Sequence, residues 1–161
     1  MKSFAEARQA PYAATRIEQV ANLLGGEELL GHRVVSSVDA HEILLGGLPG
    51  PALTYLVENL AVIGRTASLE KAVGMSLRTF QRHKEKPTQV LSLEQSGRAW
   101  KFAEILIKAT SIFGSQTEAE EWLERPATGL DRHRPIDLLA TPAGLQLVED
   151  FLERLEYGVY A

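Results

Sequence analysis

The chain has 161 residues, no cysteine and a formal net charge of -4, with charged side chains making up 24% of it. That length allows one good core or two small associated domains and excludes a large enzyme, while the missing cysteine excludes disulfides and thiolate metal sites and points to a cytoplasmic protein. The longest uncharged run, residues 43–57, is broken by Gly46, Gly47, Pro49, Gly50 and Pro51 and is too short to cross a bilayer, so no membrane segment is predicted.

Residues 1–14 read as a loosely held arm, because Pro11 interrupts a short alanine-rich stretch. Glu6 and Glu18 break any continuous apolar core there, which argues against a secretory signal. From Thr15, Ile17, Val20, Ala21 and Leu24 recur at helical spacing until Gly25 and Gly26 close the pattern, and residues 27–30 add a further turn before Gly31. Val34 and Val35 are strand formers too isolated to predict a sheet. Ser37 then opens a short helix through Ile43, Leu44 and Leu45 that ends at Gly46 and Gly47. Pro51 suits the start of another helix running through Leu53, Leu56, Val57 and Leu60.

The stretch SLEKAVGMSLRTFQRHK, residues 68–84, predicts a helix-turn-helix. Leu69, Ala72 and Val73 share one face of a first helix, Gly74 supplies the positive φ that ends it, and Ser76 caps a second. In the second helix Leu77 and Phe80 should point inward, leaving Arg78, Thr79, Gln81, Arg82 and Lys84 outward, with Lys86 just beyond. These are side chains that contact phosphates and base edges. Pro87 keeps this helix short. An ordinary helical hairpin with a solvated basic face fits the same residues. Glu70 stands four residues before the turn glycine, where such motifs generally place a small residue, and predicts looser packing of the two helices.

Ser92 with Gln95 forms a capping box for a helix of about twenty residues carrying Leu93, Trp100, Ala103, Ile107 and Ile112, ended by Phe113 and Gly114. Thr117 with Glu120 reads as a second capping box for a helix over residues 118–124, and Pro126 stops it. Residues 127–137, ATGLDRHRPID, read as a loop. Thr141 caps a last helix with Pro142 at its first position, and the chain ends Tyr157, Gly158, Val159, Tyr160, Ala161. Those last residues are apolar enough either to insert into a partner's pocket or to fold back on their own bundle.

Charge is unevenly distributed. Residues 65–88 carry six basic and two acidic side chains, net +4, whereas residues 115–161 carry four and ten, net -6. The basic block holds the candidate recognition helix, as backbone-driven DNA binding requires, and the acidic end should face another partner. His32, His41, His83 and His133 are dispersed, with no i, i+4 pair, so no metal is expected. There is no phosphate loop and no nucleophile elbow. Asp131 and Asp137 around Arg132, His133 and Arg134 read as solvated loop charges rather than an acid-base pair. The fold expected is all-α: an N-terminal region over residues 1–88, with the helix-turn-helix at about 65–88, and a C-terminal helical region over 89–161. The chain reads as a non-enzyme without cofactors, and palindromic operators predict a homodimer.

The order of these elements resembles the Xre/MbcA/ParS-type antitoxins that partner RES-domain toxins. The residues carrying the resemblance are Ser76, Arg78, Thr79, Phe80, Arg82 and Lys84; Leu91, Ser96 and Arg98; Phe113 with Gly114; Trp122, Leu123 and Pro126; and, in the last third, Leu130, Pro135, Leu138, Leu139, Thr141, Gly144, Val148, Leu152 and Gly158. Asp131 and Arg132 stand where the family tends to place glycine. The resemblance implies operator binding by the N-terminal half, repression of the chain's own operon, and inhibition of an NAD-consuming or ADP-ribosylating toxin by a C-terminal segment blocking its NAD cleft. Trp122, Leu130, Arg132, Arg134, Tyr157, Gly158, Val159, Tyr160 and Ala161 are the toxin-binding positions it suggests. A stand-alone regulator with a ligand- or protein-binding C-terminal half, and an interaction module with a relic helix-turn-helix, are the alternatives.

Overall fold

A computed structural model describes residues 14–64 and 67–158, and among them all regular secondary structure is helical apart from one isolated bridge between Pro49 and Val90. In chain order the helices are α1 Arg16–Leu23, α2 Gly26–Leu30, α3 Ser37–Gly46, α4 Gly50–Glu58, α5 Ala67–Val73, α6 Leu77–Glu85, α7 Leu93–Phe113, α8 Gln116–Glu124, α9 Pro135–Leu138 and α10 Pro142–Glu156. A 3-10 turn, Thr128–Leu130, lies between α8 and α9.

The long helix α7 is the mast of the structure. It begins at the Ser92 and Gln95 capping box and ends at Gly114 in the left-handed conformation. Ala99, Trp100, Phe102, Ala103, Ile105, Leu106 and Ala109 are buried on several sides of it, because α1, α3, α5, α8 and α10 all pack on it. A helix apolar around most of its circumference is buried this way rather than half-exposed. Lys101 pairs with Glu149 at 3.2 Å and Lys108 with Glu156 at 3.9 Å. The equal sequence offset of the two pairs makes α7 and α10 parallel neighbours in register.

Several local expectations shift. Ser36, not Ser37, caps α3: its hydroxyl accepts from the Asp39 N–H, and the Asp39 carboxylate accepts from the N–H groups of Val35 and Ser36. Those bonds, that from Val35 foremost, hold the Asp39 carboxyl below the usual range. Helix α4 ends at Glu58, so Leu60 lies beyond it. Ser115, not Thr117, caps α8, two residues earlier than the sequence suggests. Residues 127–137 are not simply a loop, because Pro135 starts the short α9 and its fixed φ suits that first position.

Gly144 shows how tightly α9 meets α10. A Cβ there would lie 2.0 Å from the Leu138 carbonyl oxygen, and backbone cannot yield as a side-chain tip can. We expect Gly144→Ala to cost about 3 kcal/mol, the range of core overpacking. A calorimetric scan should show Tm falling by roughly 6 to 12 °C for a chain of this size.

Candidate functional site

Helix α5 ends in a left-handed Gly74, φ 67°, whose N–H donates to the Glu70 carbonyl at 2.9 Å. Positive φ alone favours glycine here, and a Cβ would also meet the Arg98 guanidinium at 2.9 Å. Arg98, from α7, donates to the Lys71 carbonyl at 2.6 Å and so satisfies an orphan acceptor at the end of α5. The Ser76 hydroxyl accepts from the Thr79 N–H at 3.1 Å and starts α6. Phe80 anchors α6 in the core. Helices α5 and α6 therefore form the helix-turn-helix the sequence predicts.

Two details differ from the reading of the residues. Leu77 is 37% exposed rather than turned inward, leaving Phe80 as the buried anchor. Glu70 is exposed, so it does not hold the helices apart; its carboxylate accepts from the Leu77 N–H at 3.1 Å and joins the first helix to the start of the second.

Arg78, Gln81 and Arg82 are exposed along one face of α6, and among the described residues neither arginine makes an ion pair. Glu85 continues that face and adds one negative charge. Arg78 is the second residue of α6, where the positive end of the helix dipole disfavours a cation by a few tenths of a kcal/mol or more. A charge held against that field suits an anionic partner. Thr79 is half-buried and its hydroxyl accepts from Ser76 at 3.0 Å, so it holds the cap. Lys84 reaches Glu58 at 3.3 Å, a surface pair worth about 0 to 1 kcal/mol. Lys86 is exposed just past the helix.

The C-terminal candidates divide between support and display. Trp122 is half-buried, stacked parallel on Phe151 with ring centroids 5.9 Å apart and tilted against Phe113 at 5.1 Å. Leu130 is only 6% exposed and packs into the core, so its side chain seats the 127–134 loop instead of facing outward. Asp131 and Arg132 adopt positive φ of 51° and 61° where a glycine would fit without strain. The loop survives because it closes on itself: the Arg132 and Leu130 N–H groups donate to the Ala127 carbonyl, and the Ala127 N–H to the His133 carbonyl. Arg132 is thereby fixed in an exposed position. Tyr157, 72% exposed, ends α10, and Gly158 turns the chain with φ 67°. Val159, Tyr160 and Ala161 lie outside the described residues.

Arg134 is committed to Asp137, with two hydrogen bonds of 3.0 and 2.9 Å, while Lys71 of α5 reaches the same carboxylate at 2.7 Å. The hydrogen bond from Arg134, with help from Lys71, holds the Asp137 carboxyl down at about 2. A carboxylate so depressed adds stability at pH above its unfolded value near 4 and loses it as pH falls through about 2. We expect Asp137→Asn to cost about 1 kcal/mol at pH 7 after allowing for solvent screening of this part-exposed pair. Urea titrations at pH 7 and pH 2 should show that difference shrinking toward zero in acid.

Glu120, which the sequence offers only as the partner of Thr117 in a capping box, is engaged elsewhere. Its carboxylate is 0% exposed and accepts from the N–H groups of Ala61 at 2.8 Å and of Val62 and Ile63 at 2.9 Å, and from Gln116 at 2.9 Å. Its backbone partners lie 57 to 59 residues away, beyond any local pattern, while Gln116 is one turn away on the same helix. Among the described residues no group of His, Cys, Asp and Glu could hold a metal ion, and no helix is long and apolar enough to cross a membrane.

Comparison with known proteins matches this geometry. Residues 39–104 match the antitoxin Xre-like helix-turn-helix domain and residues 108–158 the antitoxin Xre/MbcA/ParS C-terminal toxin-binding domain, the two meeting inside α7. The antitoxin Xre of Pseudomonas putida is 30% identical over 109 residues, 68% of this chain and 67% of that protein. The antitoxin Xre of Yersinia enterocolitica is 30% identical over 130 residues, 71% of this chain and 87% of that protein, and that of Photorhabdus laumondii is 25% identical over 118 residues, 73% and 78%. With both halves matched in order and two relatives at this identity over two thirds or more of their length, the chain belongs to the Xre/MbcA/ParS antitoxin family and is an antitoxin with a helix-turn-helix domain and a domain for binding a toxin.

Proposed function

We propose that this antitoxin works with two separate surfaces. Helix α6 reads the operator of its own operon and represses it, and the C-terminal segment from Tyr157 onward stoppers the NAD cleft of a RES-domain toxin. The observation that carries the reading is the pair Arg78 and Arg82, exposed on one face of the second helix of a helix-turn-helix and without ion pairs among the described residues. The long aliphatic and guanidinium groups of arginine suit phosphate and guanine recognition. For the other half, the match to the toxin-binding domain runs to residue 158, where exposed Tyr157 and Gly158 project past the end of α10.

Under this reading Arg78, Gln81 and Arg82 touch DNA, Lys84 and Lys86 add phosphate attraction, and Thr79 fixes the helix cap. Arg132 and residues 157–161 touch the toxin, while Trp122, Leu130 and Arg134 hold their supports in place. The chain acts as a homodimer on a palindromic site, with residues 1–88 and 89–161 as its two functional halves and no catalysis of its own. Co-expression with a RES-type protein encoded beside it tests the reading. Co-purification of the two with loss of the toxin's NAD consumption supports it, and a toxin that consumes NAD equally fast in excess antitoxin contradicts it.

A further inference from the structure

Glu120 belongs to the toxin-binding half but serves the other one. Burying a carboxylate without a cation beside it is costly unless every lone pair finds a donor. Here three successive backbone N–H groups, those of Ala61, Val62 and Ile63, converge on it, an anion-binding nest filled by the protein's own side chain. Gln116, one helical turn earlier on α8, donates both to Glu120 at 2.9 Å and to the Asn59 carbonyl at 2.8 Å. The turn so gripped lies directly before the helix-turn-helix, whose first helix starts at Ala67. Residues 61–63 lie in no helix or strand, and a side chain of α8 binds their three successive amides.

A second tie runs the same way: Asp137 of α9 holds Lys71 on the first helix of the motif at 2.7 Å. Both carboxylates lie in the segment matched by the toxin-binding domain, and both partners lie in the segment matched by the helix-turn-helix. We propose that Glu120 is a positioning residue for DNA reading, supplied by the toxin-binding half, which fixes the turn at residues 61–63 and through it the pose of α5 and α6. The proposal rests on the reading of α6 as the DNA-contacting helix. It makes the two functions of the chain mechanically dependent although their surfaces are separate.

The test is the full-length Glu120→Gln variant, which keeps shape and one acceptor oxygen but sets an NH2 group against two donors. Amide hydrogen exchange at residues 61–63 should accelerate at least tenfold, and operator affinity should fall about tenfold while neutralisation of the toxin stays at the parent level. A merely structural role in α8 would do the reverse, weakening neutralisation first. Glu121→Gln, at the exposed neighbouring position, should change none of the three. If Glu120→Gln does not fold, Gln116→Ala decides, with a several-fold rise in exchange and a matching loss of operator affinity expected. Unchanged exchange, or faster exchange with parental operator affinity, overturns the proposal. A parent chain that ignores operator DNA would instead sink the reading of α6, and the positioning role would then stand or fall on whether the faster exchange spreads from 61–63 into Ala67–Val73.

Discussion

Ending the chain at Glu156 should abolish neutralisation of the toxin and leave operator binding within about twofold of the full-length protein. The described residues that the truncation removes, Tyr157 and Gly158, are exposed and hold little of the fold. Tyr157 is 72% exposed, and its N–H bonds to the Glu153 and Leu155 carbonyls are those of a fraying last turn. We therefore expect stability to change by only about 0.5 to 1 kcal/mol. The loss at the partner is much larger. Tyrosine is among the residues that dominate binding energy when desolvated in a pocket, at about 2 kcal/mol or more each, and the segment from Tyr157 contains two. The toxin should escape by roughly a thousandfold in affinity, since every 1.4 kcal/mol is tenfold. NAD consumption measured with increasing truncated antitoxin checks this. Full neutralisation by the truncated chain would place the inhibitory contact elsewhere, with Arg132 on its rigid loop the next position to test.

The double variant Arg78→Ala, Arg82→Ala should lose operator affinity by about a hundredfold or more. Each arginine contributes about 1 to 3 kcal/mol if it grips a guanine or phosphate. If both contacts are to phosphate, the slope of log affinity against log salt should also flatten by about 2, because each neutralised phosphate releases its counterion. The fold should not suffer. Among the described residues neither side chain makes an ion pair, and removing Arg78 relieves an unfavourable charge in the first turn of α6. Electrophoretic mobility or anisotropy titrations at two or more salt concentrations read both quantities. Unchanged affinity and slope would remove α6 from the interface.

The parts of this molecule that were legible in the sequence are those fixed by local chemistry. Ser92 with Gln95, Thr141 with Pro142, and Gly74 before Ser76 each mark a helix end by residues within four positions of one another. What escaped was decided at a distance. Ser115 with Glu118 and Thr117 with Glu120 are near-equivalent capping patterns two residues apart, and nothing local separates them. The choice is made by residues 61–63, which recruit the Glu120 carboxylate inward and leave Ser115 to cap α8. Glu70 was misleading for a related reason: its position four residues before Gly74 marks it as an obstacle to packing, while the structure gives its carboxylate the Leu77 N–H. Leu77 likewise has the spacing of a core residue, but only Phe80 reaches the interior. On the C-terminal side, an aspartate and an arginine where the family tends to have glycine do not abolish the turn; Asp131 and Arg132 enter the left-handed region and four backbone hydrogen bonds among residues 127–133 hold them there.

The proposed function gives the chain two separate working faces, α6 for operator DNA and the end of α10 for the toxin. Hydroxyl-radical footprinting of side chains, done first with operator duplex alone and then with toxin alone, tests it most directly. DNA should shield Leu77 and Arg82 and leave Tyr157 as reactive as in the free protein, while toxin should shield Tyr157 and leave Leu77 and Arg82 reactive. Shielding of Tyr157 by DNA, or of Leu77 and Arg82 by a toxin that leaves Tyr157 open, would contradict it.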